Sequence, residues 1–234
     1  MNSIKIILFS IHITFNCIIL YLKMEVSFFT IAVMLILMSV SSAIHLFVHE
    51  CGHYIGGLIS GYKLIHMQVG PINIVADRSN KVYVCLQHTH GGQCIMLPPK
   101  TSVIRYKAYN LGGIYANFFI SVMSLLLLDF DSPYTTLFFV QLLLVGIMKI
   151  ITNLFPNLNQ DTPNDGYVLR LLRHNTAVQK DYFLYLSLYA SLFWNEKICP
   201  NEYMYVREPV KDDAELLYYN GIRYLLETLE VPVN

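Results

Sequence analysis

The stretch Val26–His53 reads VSFFTIAVMLILMSVSSAIHLFVHECGH, and it decides the fold of this chain. Its first 23 residues, Val26–Val48, contain no Lys, Arg, Asp or Glu. A transmembrane helix needs about 20 predominantly apolar residues, so this stretch is long enough to span a bilayer. No proline interrupts it, and we expect the helix to continue to about Leu58. His49 and His53 then lie one turn apart on one face, near one end of the span.

The composition is typical of a membrane protein. Hydrophobic residues make up 55% of the 234 residues, charged residues make up 14%, and the mean hydropathy is +0.46. Soluble domains carry about 25% charged residues. The formal net charge is zero, so nothing favours nucleic acid as a partner. The five cysteines are an odd number without C-x-x-C spacing, and neither a disulfide framework nor a cysteine-rich zinc site is expected.

Three further apolar segments are long enough to cross a membrane. Ile6–Leu22 has no charged residue, and no small-residue cleavage site follows it, so we expect a retained transmembrane helix rather than a signal peptide. Leu111–Leu128 and Ser132–Met148 are close to the minimum spanning length of about 17 residues and are joined by the short acidic connection Asp129–Asp131. We therefore predict an all-α membrane protein with about four transmembrane helices.

The remaining segments predict smaller elements. Alternation around Val69–Val75 and Lys81–Leu86 predicts a small cytoplasmic β-hairpin or sheet between the second and third spans, and Gly91-Gly92 is expected to break its continuation. Tyr182–Trp194 is too short for a span and is expected to be an interfacial or buried helix, followed by an amphipathic helix in the tail. The predicted organisation is an N-terminal transmembrane helix at 1–25, a membrane core at 26–175 and a helical cytoplasmic or interfacial tail at 176–234.

The basic residues predict the orientation of the chain. The loop Gly61–Asn110 carries six Lys or Arg residues against one acid, Asp77, whereas the Asp129–Asp131 connection carries none. The positive-inside rule therefore predicts that this loop lies in the cytoplasm and the acidic connection outside. We expect an integral, multi-pass protein of a bacterial plasma membrane, with His49 and His53 near the cytoplasmic side.

The motif His49-Glu50-Cys51-Gly52-His53 has the H-E-x-x-H pattern on a helix. Its two imidazoles can bind one zinc ion, and Glu50 beside them can act as a general base. Ionisable residues within a span are costly and indicate function by default. A catalytic zinc site takes three protein ligands and a water molecule, so a third ligand must come from elsewhere in the chain.

Asp165 is the third ligand that we predict. It follows Asn153-Leu154-Phe155-Pro156, where the proline must end the helix of the fourth span at the same membrane level as His49 and His53. Asp161 in the same connection is the alternative.

Three other histidines are candidate ligands. His45 lies one turn before His49, but three histidines along one straight helix cannot converge on a tetrahedral ion, so we expect His45 to face the bundle interior. His88 and His90, at i, i+2 spacing, either bind a metal or lie in a solvated loop.

Three blocks of the chain resemble the site-2 protease family of intramembrane zinc metalloproteases. They are the His49–His53 motif at the end of an apolar helix, Gly112–Asn117 (GGIYAN) at the start of the third span, and the stretch from Asn153 to Gly166. The resemblance covers about Val26–Arg173, which corresponds to the three-helix core of that family.

The resemblance implies a role for each matching residue. One zinc ion would be held by His49, His53 and Asp165, and Glu50 would activate a water molecule. The residues expected to lie beside the substrate or its oxyanion are Asn117, Gly113 and Asn153.

The spacing in the third block leaves the register open. In the family the aspartate commonly follows an asparagine by eight residues. That interval relates Asn153 to Asp161 and also relates Asn157 to Asp165.

The resemblance also implies hydrolysis of peptide bonds in transmembrane or membrane-associated peptides. The expected partners are a membrane-embedded peptide or protein substrate and the lipid bilayer. Two alternatives remain open. A prenyl-protein protease type would need a further Glu or His ligand on a later helix, and the chain offers no such Glu in a span. A non-catalytic membrane immunity or transporter-accessory protein would retain only a degenerate metal site.

Overall fold

The structure is a computed structural model that describes residues 7–15, 18, 27–89, 91–100, 105–129, 131–159, 162–173, 176–196, 198, 203 and 213–227. Among these residues, three helices are long and apolar enough to cross a membrane, α1 (Phe28–Ile59), α2 (Tyr106–Leu126) and α3 (Pro133–Leu154). The second, third and fourth predicted spans are confirmed as helices of this kind. Residues 7–15 of the predicted span Ile6–Leu22 are helical, and most of its remainder lies outside the described residues.

The ends of α1 follow from its flanking residues. The Ser27 hydroxyl accepts a hydrogen bond from the Thr30 amide at 3.2 Å, and the Thr30 hydroxyl accepts one from the Ser27 amide at 2.9 Å. This reciprocal pair caps the first turn. At the other end Gly61 has a φ of +81°, which glycine adopts readily, and the chain leaves the helix after Ile59. The predicted end near Leu58 is confirmed.

Small residues bring α1 and α2 into backbone contact. A Cβ atom at Gly52 would overlap the carbonyl oxygen of Gly112, and one at Gly56 would overlap the carbonyl oxygen of Ala108. Lipid gives membrane helices no hydrophobic driving force for association, so their attraction comes from such close packing. The α1–α2 contact therefore depends on the absence of side chains at these glycines.

The fourth predicted span, Ser132–Met148, is longer than predicted, because α3 continues beyond Met148 to Leu154. The added turns carry the polar residues Lys149 and Asn153, and both residues line cavities of the protein. Hydropathy marks the end of the apolar segment, and here that is not the end of the helix. The predicted proline break is confirmed, and Phe155 before the proline has a ψ of 119°, in the extended region.

A four-stranded antiparallel sheet connects α1 to α2. Its strands are β1 (Lys63–Val69), β2 (Ile72–Ala76), β3 (Val82–Leu86) and β4 (Gly92–Leu97), in the order β3-β2-β1-β4. The predicted small sheet is confirmed, but the expected break at Gly91-Gly92 was wrong. Gly92 begins β4 and pairs with Val69 of β1. Glycine is suited to this strand position because a side chain here would overlap the carboxylate of Glu50.

The chain after α3 forms a two-stranded ladder, β5 (Leu158–Asn159) with β6 (Thr162–Pro163), and then helices α4 (Asp165–Leu172), α5 (Thr176–Phe193) and α6 (Leu217–Glu227). α5 contains most of the predicted helix Tyr182–Trp194. It packs against β4 and α6 and is not among the apolar, membrane-length helices of the described residues. The predicted amphipathic helix is α6, which buries Tyr218, Ile222 and Leu226.

Substituting Gly112 by valine is expected to separate α1 from α2. The new side chain would meet the backbone of Gly52, which cannot rotate away, so we expect a loss of about 1–3 kcal/mol or more in the free energy of unfolding. The measurement is thermal unfolding of the purified chain in detergent. Ala43→Val is the matched control, because Ala43 is exposed on α1 and the change should stay within about 0.5 kcal/mol. Equal effects of the two substitutions would contradict the backbone contact.

Candidate metal centre

His49 and His53 extend from one face of α1 toward a common point. Their Nε2 atoms are 3.1 Å apart, and the ring planes meet at 85°. Both side chains are largely buried. The imidazole of His53 is oriented by the carbonyl oxygen of Tyr109, which lies 2.7 Å from Nδ1. A carbonyl only accepts, so Nδ1 of His53 carries the hydrogen, and the lone pair of Nε2 is directed at the common point.

Gly113 gives the two imidazoles room against α2. A Cβ atom at this position would lie 2.6 Å from His49 Nδ1 and 2.6 Å from His53 Nε2. The side chain is therefore excluded by the rings themselves. The predicted substrate contact of Gly113 stays a prediction, and the contact that the structure shows is with the histidines.

Asp165 approaches from the opposite side, at the start of α4. One carboxylate oxygen, Oδ2, lies 3.2 Å from His49 Nε2, and the other, Oδ1, lies 3.3 Å from His53 Nε2. Burial opposes ionisation of this carboxyl, but the positive charge that His53 and His49 carry when both ring nitrogens are protonated outweighs burial and holds the pKa of Asp165 well below its usual range in the metal-free chain. The group is thus an anionic oxygen donor beside two nitrogen donors.

Asn164 holds the connection that delivers Asp165, and sequence reasoning missed it. Its Oδ1 accepts hydrogen bonds from the amides of Tyr167 at 3.0 Å and Asn157 at 2.9 Å. Its Nδ2 donates to the carbonyl of Thr152 at 2.7 Å. One amide therefore caps α4 and ties the connection back to the end of α3. An asparagine directly before an acidic residue is a helix N-cap signal, and this signal was present in the sequence.

The three side chains fit a metal ion in size and chemistry. Zinc with bonds of about 2.0–2.1 Å in tetrahedral geometry holds its ligand atoms about 3.3–3.4 Å apart. The measured separations of 3.1, 3.2 and 3.3 Å approach that value. Within the part of the chain that the structure describes, His49, His53 and Asp165 are the group of ligands that could hold a metal.

The alternative ligands occupy other places. Asp161 and His90 lie outside the described residues. His88 is exposed in the connection between β3 and β4 and is not part of the group. His45 is fully buried and faces the bundle interior as predicted, with ring nitrogens near Asn117 and a carbonyl of α3.

Glu50 lies beside the three ligands in a cavity of about 710 Å³. Its side chain is only 4% exposed. The strand β4 passes directly over it, since a Cβ atom at Gly92 would overlap Oε1 of Glu50 and would lie 2.7 Å from Cδ1 of Leu46. This contact is the reason for glycine at the start of β4. Asn153 lines the same cavity.

Asn117 lies behind the ligands, on the side away from the cavity. It is fully buried, and its Nδ2 is 3.1 Å from Nδ1 of His49. The predicted contact of Asn117 with a substrate stays a prediction. The structure brings this side chain to the back of a metal ligand.

Comparisons of the chain with models of protein families, with curated proteins and with solved structures give no significant match. The fold and the site define a membrane protein with a buried group of two histidines and one aspartate that could hold a metal ion. The likeness of three sequence blocks to the site-2 proteases stays a prediction.

Removal of the Asp165 carboxylate is expected to release the metal. Asp165→Ala leaves two imidazoles, fewer than the three protein ligands of a catalytic zinc site, so zinc should fall from about one ion per chain to well below half. The measurement is elemental analysis of the chain purified in detergent with limiting zinc. Asp161→Ala is the matched control and should retain the ion. Loss of zinc only from the Asp161 variant would reverse the ligand assignment.

Proposed function

We propose that this chain is an intramembrane zinc metalloprotease of the site-2 protease type. The observation that supports the proposal best is that Glu50 shares one cavity with the converging side chains of His49, His53 and Asp165, on a helix of membrane-spanning length. A buried glutamate next to a metal-ligand group has the elements of a hydrolytic site. His49, His53 and Glu50 match the H-E-x-x-H pattern of zinc peptidases, and Asp165 adds the third ligand.

Zinc suits the donor set of two imidazole nitrogens and one carboxylate oxygen, and when bound it supplies a polarised substrate carbonyl and an acidified water. Glu50 takes the proton of the attacking water as the new bond to the peptide carbon forms. It then gives that proton to the peptide nitrogen as the carbon–nitrogen bond breaks. The Glu50 side chain is itself buried, which strengthens these electrostatic interactions.

The free edge of β4 is the surface that we propose for the substrate backbone. Among the described strands β4 pairs with β1 alone, and its residues Gly92–Ile95 line the cavity that contains Glu50. The Cys94 carbonyl already accepts a hydrogen bond from the Tyr109 hydroxyl, so the main-chain groups that we propose for the substrate are those at Gly92. In a helical substrate every carbonyl is hydrogen-bonded, so the segment must be extended before cleavage. An extended segment can add to a sheet edge through main-chain hydrogen bonds. Such pairing would hold a peptide carbonyl next to Glu50.

A lateral groove offers a path from the bilayer to this edge. The groove has a volume of about 1010 Å³ and lies between α1, α3 and the helical segment 7–15, with apolar residues such as Phe9, Met38 and Val145 in its wall. It shares four lining residues with the cavity of Glu50, namely Leu46, Lys149, Asn153 and Asn164. We propose that a membrane peptide enters through this groove, which would bring it past Asn153, one of the predicted substrate contacts.

Replacing Glu50 by glutamine should abolish cleavage while the metal stays bound. Loss of a general base costs about 100- to 10,000-fold in rate, and glutamine keeps the size of the side chain. The measurement is cleavage of a panel of transmembrane and short membrane peptides, read by mass spectrometry, together with zinc content. Glu227→Gln on α6 is the matched control, because Glu227 is exposed and should leave cleavage unchanged. Unchanged cleavage in Glu50→Gln would rule out the mechanism, and no cleavage by the unaltered chain would favour a non-catalytic protein.

Replacing Gly92 by alanine should slow cleavage without removing the metal. The methyl group would displace the carboxylate end of Glu50, and a shift of about 1 Å at a catalytic group can cost about 100-fold in rate. The measurements are the cleavage rate and the zinc content of the same sample. Val84→Ala on the far edge strand β3 is the control, since Val84 is exposed and distant from Glu50 in the strand order. A normal rate in Gly92→Ala would argue against the contact between β4 and the base.

A further inference from the structure

A chain of hydrogen-bonding groups runs from the backbone of α3 to the back of His49. The Leu142 carbonyl oxygen lies 2.7 Å from His45 Nε2, and His45 Nδ1 lies 3.0 Å from Oδ1 of Asn117. Nδ2 of Asn117 lies 3.1 Å from His49 Nδ1. Both His45 and Asn117 have no exposed surface. The Nδ1 side of His49, opposite the ligand atom Nε2, is therefore connected through two buried side chains to a fixed carbonyl.

The carbonyl determines the direction of every hydrogen bond in this chain. A carbonyl only accepts, so Nε2 of His45 must carry a hydrogen, and a neutral imidazole has only one. Nδ1 of His45 is then an acceptor and needs a donor, which is the amide nitrogen of Asn117. With Oδ1 toward His45, the fully buried ring would need a hydrogen on both nitrogens and hence a positive charge among membrane helices. The two ends of the amide are equal in size, so a half-turn about Cβ–Cγ resolves this conflict.

We propose that His45 and Asn117 are positioning residues that keep the hydrogen of His49 on Nδ1. Once the Asn117 nitrogen faces His45, its oxygen faces His49 and accepts from Nδ1 of that ring. The lone pair of His49 Nε2 is then free to bind a metal. The inference rests on the proposed metal centre and does not require that the chain cleaves peptides. In this proposal Asn117 orients the metal ligand His49 by accepting the hydrogen of its Nδ1 atom.

The geometry of α3 supports this role of the Leu142 carbonyl. A helix carbonyl points toward the residue four positions later, and for Leu142 that residue is Gly146. A Cβ atom at Gly146 would lie 2.6 Å from Cε1 of His45, so only glycine lets the ring reach the second lone pair of the carbonyl. The same arrangement recurs on α2, where Gly113 follows the Tyr109 carbonyl that orients His53.

The Leu142 carbonyl, His45 and Asn117 form a relay of hydrogen bonds, and this relay explains how both histidine ligands can face one ion. His53 receives its orientation directly from a carbonyl, whereas His49 receives it through Asn117 and His45. Both Nε2 atoms then present lone pairs to each other at 3.1 Å, with no hydrogen between them. That arrangement is unfavourable on its own and is favourable around a cation. Histidine ligands generally depend on such a partner at the other ring nitrogen.

The first test is the position of the hydrogen on each ring in the metal-free full-length Asp165→Ala chain, which lacks the carboxylate that lies 3.2 Å from His49 Nε2 in the unaltered chain. Nitrogen-15 NMR of histidine-labelled protein in lipid nanodiscs distinguishes the two neutral forms of imidazole. We expect hydrogen on Nε2 of His45 and on Nδ1 of His49, with assignments from His45→Phe and His49→Phe samples. Hydrogen predominantly on Nε2 of His49 would overturn the proposal.

The second test is the affinity of each variant for zinc, measured by competition with a chelator. Asn117→Leu keeps the volume but removes both hydrogen-bonding ends, and we expect about 10- to 100-fold weaker binding. Asn117→Asp retains an acceptor for His49 Nδ1 and is expected to bind zinc within about threefold of the unaltered chain, or more tightly. A merely structural role would predict similar losses for both variants, and equal losses would overturn the proposal, as would unchanged affinity in Asn117→Leu.

Asn110→Leu is the matched control for removal of a buried amide from the same helix. Asn110 is hydrogen-bonded to the Tyr106 carbonyl and the Tyr182 hydroxyl, so its loss should affect thermal stability and leave zinc affinity unchanged. If Asn117→Leu fails to fold, the aspartate variant and the NMR measurement still decide. The expected hydrogen positions in a chain that cleaves no peptide would support the relay and count against the proposed protease activity alone.

Discussion

The direct contact of α1 with α2 is the constraint on which the rest of the site depends. Gly52 and Gly112 leave no space between the two backbones, so the face of α1 that carries His49 and His53 is pressed against α2. At that distance the ring of His53 reaches a main-chain carbonyl of α2, and Asn117 reaches the ring of His49. Helices held apart by larger side chains could not orient the two imidazoles in this way.

The polar groups near the metal centre then have to satisfy one another. A polar group left without a partner costs several kcal/mol where no water is available, so hydrogen bonds among the polar groups around the two histidines stabilise this region. His45, Asn117 and the Leu142 carbonyl do this for the back of His49, and the Tyr109 carbonyl does it for His53. The front of the site is different, because two imidazole nitrogens and a carboxylate converge there. The lone pairs of these ligand atoms repel one another, and a bound cation would offset that repulsion.

Local patterns predicted the helical half of the site, because the spacing of His49 and His53 on a helix places them on one face regardless of tertiary structure. The tertiary half could be predicted only in part. Asp165 was identified from the proline break, but the clamp made by Asn164 depends on bonds to residues up to twelve positions away. The sequence did not predict β4, because glycine disfavours strands. Gly92 is favoured at the start of β4 by its close contact with Glu50, and a contact between residues so far apart in sequence cannot be recognised from the local pattern.

The two halves of the metal centre also differ in how they are held. The histidines are fixed by the packed helices α1 and α2, whereas Asp165 arrives on a connection whose ends are joined by the amide of Asn164. Gly166 is packed so closely on the carbonyl of Leu154 that no side chain fits, which sets the depth at which the carboxylate lies. The position of the third ligand is therefore determined by where α3 ends. A single proline break thus serves two purposes, since it terminates a span and turns the aspartate toward the two imidazoles.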